Sequence, residues 1–187
     1  MCECGRKECT FCGETARRKE KNMDKCIICD IDGTVALMKG KRSPFEYEKA
    51  FDDEPNQPVI DVLMATVYHY ECKYEQEIWI IFTSARENRE LKNYFSTTSY
   101  NDGNQIKDVG ELTKAWVERH IGVSKWNKFI FREAGDYRKD AFVKFEIGKE
   151  IMKEYDILCV FDDRNQVVDM WRNGLQVTCF QVADGNF

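Results

Sequence analysis

Cys26-Ile27-Ile28-Cys29-Asp30-Ile31-Asp32-Gly33-Thr34 is the stretch on which the reading of this chain turns. Its apolar run has the length of a strand and stops at two carboxylates two residues apart. A buried strand has little reason to end in acids, because unpaired buried charge is strongly disfavoured. A site that supplies Mg²⁺ and a phosphate makes both acids useful, so the pair suits metal-assisted phosphoryl transfer. Gly33 lets the chain turn sharply just beyond it. Taken alone, Asp-x-Asp-Gly also serves as an acidic turn that opens a loop, and the motifs downstream decide between the two.

Moving outward, Ile78-Trp79-Ile80-Ile81-Phe82 and Ile157-Leu158-Cys159-Val160-Phe161 are continuously apolar rather than alternating. Strands of that kind are central strands covered by helices on both faces. From Lys25 onward short apolar runs alternate with helical patterns, which predicts an α/β fold: a three-layer sandwich around a mainly parallel five-stranded sheet. The strands are expected to end at Asp30, Thr83, Arg132, Asp162 and about Val182. Val59, Val62, Leu63, Thr66, Val67 and Tyr70 recur at the spacing of one helix face, with Pro58 in the first turn. A second helical pattern runs from about Arg138 to Tyr155. It puts Ala141, Phe145, Gly148, Met152 and Tyr155 on one stripe, Gly148 allowing close approach to the strands. A third, Asn165 to Arg172, closes at Asn173-Gly174, read as a left-handed cap.

In open sheets of this type ligands collect beyond the carboxyl ends of the strands, and Asp30, Asp32, Thr83, Ser84, Arg132, Asp162 and Asp163 all fall at those ends. Phosphoryl transfer needs an in-line nucleophile, neutralisation of the phosphoryl oxygens and a proton donor for the leaving group. Asp30 can attack phosphorus and form an aspartyl-phosphate. Asp32 can protonate the leaving oxygen and then deprotonate the attacking water. Asp162 and Asp163 add hard oxygen ligands for Mg²⁺. Lys144 and Ser84 can hold the phosphoryl oxygens.

The ordered set of D-x-D-G-T at Asp30–Thr34, a strand ending in Thr83-Ser84, a helical Lys144 and a strand ending in Asp162-Asp163 resembles the haloacid dehalogenase superfamily. The second acid, Asp32, points to its phosphatase branch. Further segments carry the likeness on. They are Thr34-Val35-Ala36-Leu37-Met38 with Arg42-Ser43-Pro44-Phe45, Thr83-Ser84-Ala85-Arg86-Glu87, Arg132-Glu133 with Gly135-Asp136-Tyr137-Arg138-Lys139-Asp140 and Val143-Lys144, and Phe161 to Arg172. Together these are similar to the phosphatase domain of phage-type bifunctional polynucleotide kinase/3′-phosphatases, over most of residues 25–187.

The resemblance implies a haloacid dehalogenase-like Rossmannoid fold and a Mg²⁺-dependent phosphatase that removes 3′-phosphates from DNA or RNA ends. By position, Asp30 becomes the nucleophile and Asp32 the acid/base. Asp30, Asp32, Asp162 and Asp163 become the metal side. Ser84 and Lys144 become phosphate ligands, and Thr34, Arg42, Thr83, Arg86, Arg132, Asp140 and Arg164 serve substrate contact or site support. Lys41-Arg42 stands where a single arginine is expected, so either side chain could reach the substrate. The segment Asn88 to Gly110 is long and polar, which predicts a different wall facing the polynucleotide. No G-x-x-x-x-G-K-[ST] occurs in the sequence, so kinase activity is not expected, and a separate kinase or ligase could work beside it.

Composition agrees with an ordinary globular protein: 187 residues, 43% hydrophobic and 33% charged. No apolar stretch could span a bilayer and none resembles a signal peptide, so a cytoplasmic protein is expected. A net charge of -5 excludes broad coating of nucleic acid by counterion release, while leaving room for a few arginines focused on one strand end.

Residues 1–24 read as a Cys-rich appendage and linker, and residues 25–187 as the phosphatase domain. Cys2, Cys4, Cys9 and Cys12 could close a structural Zn²⁺ site. Five other cysteines sit in apparent core strands and a helix, where a reduced thiol packs as a small apolar group. Cys26 and Cys29, three apart on a strand, should face opposite sides of the sheet. Trp79, Trp116, Trp126 and Trp171 read chiefly as side chains of the core or its rim, and of these Trp116 and Trp126, in less regular surroundings, could also stack on bases. Two other functions fit the same residues: a phosphatase of nucleotides or small phosphate esters, and an end-binding module of a repair assembly tethered through the cysteine cluster.

Overall fold

A computed structural model describes residues 23–96, 105–122 and 127–185. In chain order the strands are β1 (Asp24–Asp30), β2 (Ala36–Leu37), β3 (Glu54–Pro55), β4 (Trp79–Glu87), β5 (Glu90–Ser96), β6 (Gln105–Asp108), β7 (Asn127–Arg132), β8 (Tyr155–Arg164) and β9 (Cys179–Gly185). The α-helices are α1 (Gln57–Tyr74), α2 (Val109–His120), α3 (Asp140–Glu154) and α4 (Asn165–Asp169). Five strands form one sheet in the order β7-β4-β1-β8-β9, parallel throughout. Two short antiparallel pairs, β2-β3 and β5-β6, lie outside it.

β1 is central and buried from Cys26 to Asp30, and its side chains alternate between two cores. Ile27 and Cys29 join Leu63 and Val67 of α1 and Trp116 of α2 on one face. Cys26 and Ile28 join Ile151 of α3, Val167 and Val168 of α4 and Trp171 on the other. The three layers follow from this alternation, and the two cysteines do face opposite ways. Burial pushes the thiols of Cys26, Cys159 and Cys179 up to about 12, so these groups stay protonated and pack as apolar side chains.

The strands run past several of the expected ends. β4 continues to Glu87 because that residue pairs with Arg132, and β8 continues to Arg164 because it pairs with Gly185 of β9. In α1 the buried positions are Ile60, Leu63 and Val67, whereas Val62 is exposed. α3 is also rotated from the expected stripe: Val143, Lys144, Gly148 and Ile151 are buried and Met152 is not. Gly148 does permit a close approach, but to the neighbouring helical segment rather than to the strands. A Cβ there would lie 2.6 Å from both the Trp171 ring and Leu175. The expected left-handed cap at Gly174 is absent too. After α4 the helix widens into a π turn over Met170–Gly174, with Leu175 N donating to Met170 O, and the left-handed residue is Gln176 at φ 58°.

One irregularity sets the register of β8. Cys26 pairs with Ile157 but Ile27 pairs with Cys159, so Leu158 is an unmatched extra residue. Leu158 and Cys159 consequently pack toward the same core. One step beyond the Cys29–Phe161 pair lie Asp30 and Asp162. Among the described residues no helix is long and apolar enough to cross a membrane.

Candidate active site

The carboxyl ends of β1, β4 and β8 converge on two clusters of charge. In the first, Asp30, Asp162 and Asp163 are buried and each offers a carboxylate oxygen within 4.8 Å of the others. Lys144, itself buried in α3, donates to Asp30 Oδ1 at 2.6 Å and to Asp162 Oδ2 at 2.8 Å, and lies 3.8 Å from Asp140 Oδ2. Thr34 Oγ1 stands 3.3 Å from both Asp30 Oδ2 and Asp163 Oδ1, and its single proton can serve one at a time. Beside Asp30 in the sheet, the buried Thr83 hydroxyl has no partner among the described residues.

Burial pushes the Asp30 carboxyl well up; Lys144 opposes the shift and Asp162 and Asp163 reinforce it. Asp163 is raised by burial and then by Asp162. Lys144 would be lowered by burial, but Asp162, Asp30 and Asp140 outweigh that and keep it charged. Three buried carboxylates sharing one ammonium are short of positive charge, and all their donor atoms are hard oxygens. That donor set and that deficit fit Mg²⁺.

The loop after β1 holds the triad in place. Gly33 has φ +87°, and a Cβ on it would lie 2.2 Å from Asp163 Oδ2, so only glycine fits between the two strand ends. Its N–H donates to Ala36 O and Ala36 N–H donates to Ile31 O, folding the chain back into β2.

The second cluster surrounds Asp32. Arg86 grips it with two bonds, Nε to Oδ2 and Nη2 to Oδ1, each 2.7 Å. Arg42 Nη2 adds a third at 2.6 Å to Oδ1. Both arginines also bind Asp53, Arg42 through Nε at 2.8 Å and Nη2 at 2.6 Å, Arg86 through Nη2 at 3.2 Å. Thr113 of α2 accepts from Arg86 Nη1. Burial raises the Asp32 carboxyl, but Arg86 and then Arg42 more than offset this and hold it below the ordinary carboxylate range.

The expected site residues therefore separate. Asp32 was expected on the metal side with Asp30, Asp162 and Asp163, but its carboxylate is taken up by two guanidinium groups and lies outside the triad. Of Lys41 and Arg42, Arg42 enters the site, while Lys41 pairs with Glu54 on the surface. Arg42 and Arg86 have buried side chains committed to Asp32 and Asp53, so they shape the site rather than present an open face to a ligand. Asp140 is a hub that receives Arg132 and Arg164, each at 3.4 Å, from either side. Ser84 is buried and its Oγ accepts from Arg86 N–H. Asp53 and Thr113 were missed. Trp116 is no stacking platform: it is buried, and its indole N–H donates to Asp53 O. Trp126 and Cys2, Cys4, Cys9 and Cys12 lie outside the described residues.

A cleft of about 420 Å³ opens beside Asp32. Arg132, Arg138, Lys139 and Arg164 supply a basic wall, and Phe45 and Tyr137 line it as well. The arrangement places a buried, cation-seeking acid cluster next to an ionised carboxylate at the rim of a basic cleft.

Comparison with known proteins adds three findings. Residues 24–187 match the model of the polynucleotide kinase PNKP phosphatase domain. A protein of Autographa californica nuclear polyhedrosis virus described as a bifunctional polynucleotide kinase/RNA ligase is 26% identical over 161 residues, 85% of this chain and 19% of its own length. Chains in the structures of the Pnkp1/Rnl/Hen1 RNA repair complex and the Pnkp1/Rnl/Hen1 complex are both 32% identical and cover 90% of this chain. Their TM-scores are 0.66 and 0.65, and the matches span 45% and 49% of those chains. The chain thus spans under half the length of these solved relatives and about a fifth of the viral one.

Proposed function

The chain belongs to the polynucleotide kinase phosphatase-domain family within the haloacid dehalogenase superfamily, and from that premise we propose that it is a Mg²⁺-dependent 3′-phosphatase of polynucleotide ends. One observation carries the reading: the buried Asp30–Asp162–Asp163–Lys144 cluster adjoins the Arg-held Asp32 at the edge of a basic cleft. Both sets of relatives are described by RNA work, one as an RNA ligase and one as an RNA repair complex, so RNA ends are the preferred substrate class. The same likeness supports action beside a separate kinase and ligase, with residues 25–187 as the catalytic unit.

In the proposed reaction an Asp30 oxygen forms a bond to phosphorus as the bond from phosphorus to the 3′ oxygen breaks, leaving an aspartyl-phosphate. Asp32 gives a proton to the departing 3′ oxygen and takes one from the water that cleaves the intermediate. As the site stands, Arg86 and Arg42 keep Asp32 ionised, which suits the second half of the reaction. Its acid role requires that docking of an anionic substrate loosen part of the guanidinium hold. Lys144 keeps Asp30 aligned and offers charge to the phosphoryl oxygens, and the Thr83 and Thr34 hydroxyls supply donors beside them. A divalent cation held by Asp30, Asp162 and Asp163 would offset the negative charge gathered there.

The test is Mg²⁺-dependent phosphate release from matched oligonucleotides bearing a 3′- or a 5′-phosphate, beside a 3′-mononucleotide. Selective release from the 3′ end, lost in Asp30→Asn and Asp32→Asn, is expected. Turnover confined to the mononucleotide would move the substrate to small esters. End binding without metal-dependent turnover would make the chain a docking module.

A further inference from the structure

We propose that Phe45 and Tyr137 are stacking platforms for the bases at the end of the bound strand, so that the cleft selects nucleobase-bearing ends rather than phosphate esters at large. The inference rests on the polynucleotide reading above and names what in this chain would recognise the strand. Phe45 is 76% exposed and Tyr137 85% exposed, and both line the cleft that holds Asp32. A single exposed aromatic needs no explanation. Two at one cleft, each on a turn whose backbone is braced by an arginine of the site, do.

Arg42 Nη1 donates to Ser43 O at 3.2 Å, and Ser43 and Glu46 exchange bonds across the turn that carries Phe45: Ser43 N–H to Glu46 Oε2, and Glu46 N–H to Ser43 O. Across the cleft, Arg132 Nη1 donates to the carbonyls on either side of Tyr137, Asp136 O at 3.0 Å and Arg138 O at 2.8 Å. The Arg138 guanidinium then ties the same turn to Asp136 and to Glu146 of α3. Both rings are therefore held on braced turns while making little contact with the core. Preorganised, solvent-facing aromatics beside basic groups are the usual means of gripping single strands without regard to sequence, since every base has a π face. The cleft volume falls in the range of sites that hold a whole nucleotide-sized ligand, well beyond the needs of a phosphate group.

The experiment measures KM for the full chain with two 3′-phosphorylated oligonucleotides, one intact and one abasic at its last two positions. The variants are Phe45→Leu and Tyr137→Leu, with Phe45→Trp and Tyr137→Phe as aromatic replacements. Each Leu variant should raise KM for the intact end about ten-fold, the loss of one stacked base. On the abasic end the wild type should already bind weakly, and the Leu changes should add less than about two-fold. The aromatic replacements should restore the wild-type KM. Quenching of 2-aminopurine placed at the terminal position, measured in Asp30→Asn, should fall in the Leu variants in parallel. Equal effects on both ends, or none on either, would overturn the proposal. Failure of the wild type itself to act on either oligonucleotide would remove the polynucleotide reading and this inference together, and is told apart because no substitution is involved.

Discussion

Asp30 and Asp32 stand two residues apart on one strand end, yet their surroundings differ in the balance of charge. Asp30 shares one ammonium with two other buried carboxylates and is pushed up. Asp32 and Asp53 meet two arginines, charge for charge, and Asp32 is held down. Two like residues whose environments drive their pKa values apart are suited to different tasks in one reaction. One cluster is incomplete by design and calls for a cation, while the other is complete and holds geometry.

The comparison can be broken most directly by neutralising each member of the pair. Asp30→Asn and Asp32→Asn should each lower kcat by at least about a thousand-fold, read as phosphate release. Only Asp32→Asn should also disturb the fold, because it opens the arginine cluster. An equal loss of melting temperature in both would mean that the two clusters are not different in kind.

Next in size is Asp53→Asn, which leaves two buried guanidinium groups facing one carboxylate. It should destabilise the protein by about 3 kcal/mol in urea unfolding and lower kcat without touching the triad. In contrast, Asp163→Asn relieves repulsion and should keep or raise the metal-free melting temperature.

A smaller effect separates the clusters by metal. Mg²⁺ well above its dissociation constant should stabilise the wild type by about 2 kcal/mol, and addition of EDTA should reverse it. In Asp163→Asn the shift should vanish, and in Asp53→Asn it should persist on a lowered baseline.

The smallest belongs to an ion pair outside both clusters. Glu54 is held at about 2, below its ordinary 4.5, by Lys39 and then Lys41. A depressed carboxyl contributes stability above its unfolded value that is lost as the pH falls through the folded one. Changing Lys39 and Lys41 to Gln should therefore lower the melting temperature slightly at neutral pH, leave it unchanged below about pH 2, and so flatten the acid limb between about pH 4.5 and about pH 2.

The triad was legible in the sequence because its acids interrupt apolar strands, where a charge has no other reason to be. Lys144 was legible only by position, and the rotated burial of α3 explains why the expected stripe missed it. Asp53 was hidden because it sits in Phe51-Asp52-Asp53-Glu54-Pro55, an acidic run that reads as a solvated turn. Its role depends on Arg42 and Arg86 arriving from two distant segments, and pairing at that separation leaves no local pattern. Trp116 proves to be a core residue, the more favoured of its two readings, but its hydrogen-bond partner could not be read locally because it is the carbonyl of Asp53, 63 positions away. Strand lengths went wrong only where pairing beyond the site extends them.

The unmatched Leu158 has a consequence for how the chain can change. Tyr155 follows Glu154 of α3 directly, so the helix that carries Lys144 dictates where β8 begins. Asp162 must meet that lysine at the strand's other end, so the chemistry dictates where it stops. Leu158 works as an expansion joint between these two demands. Losing or gaining one residue there can be absorbed locally, with the acids downstream staying in step with Asp30, whereas the same change between Cys159 and Asp162 would turn every later side chain to the opposite face.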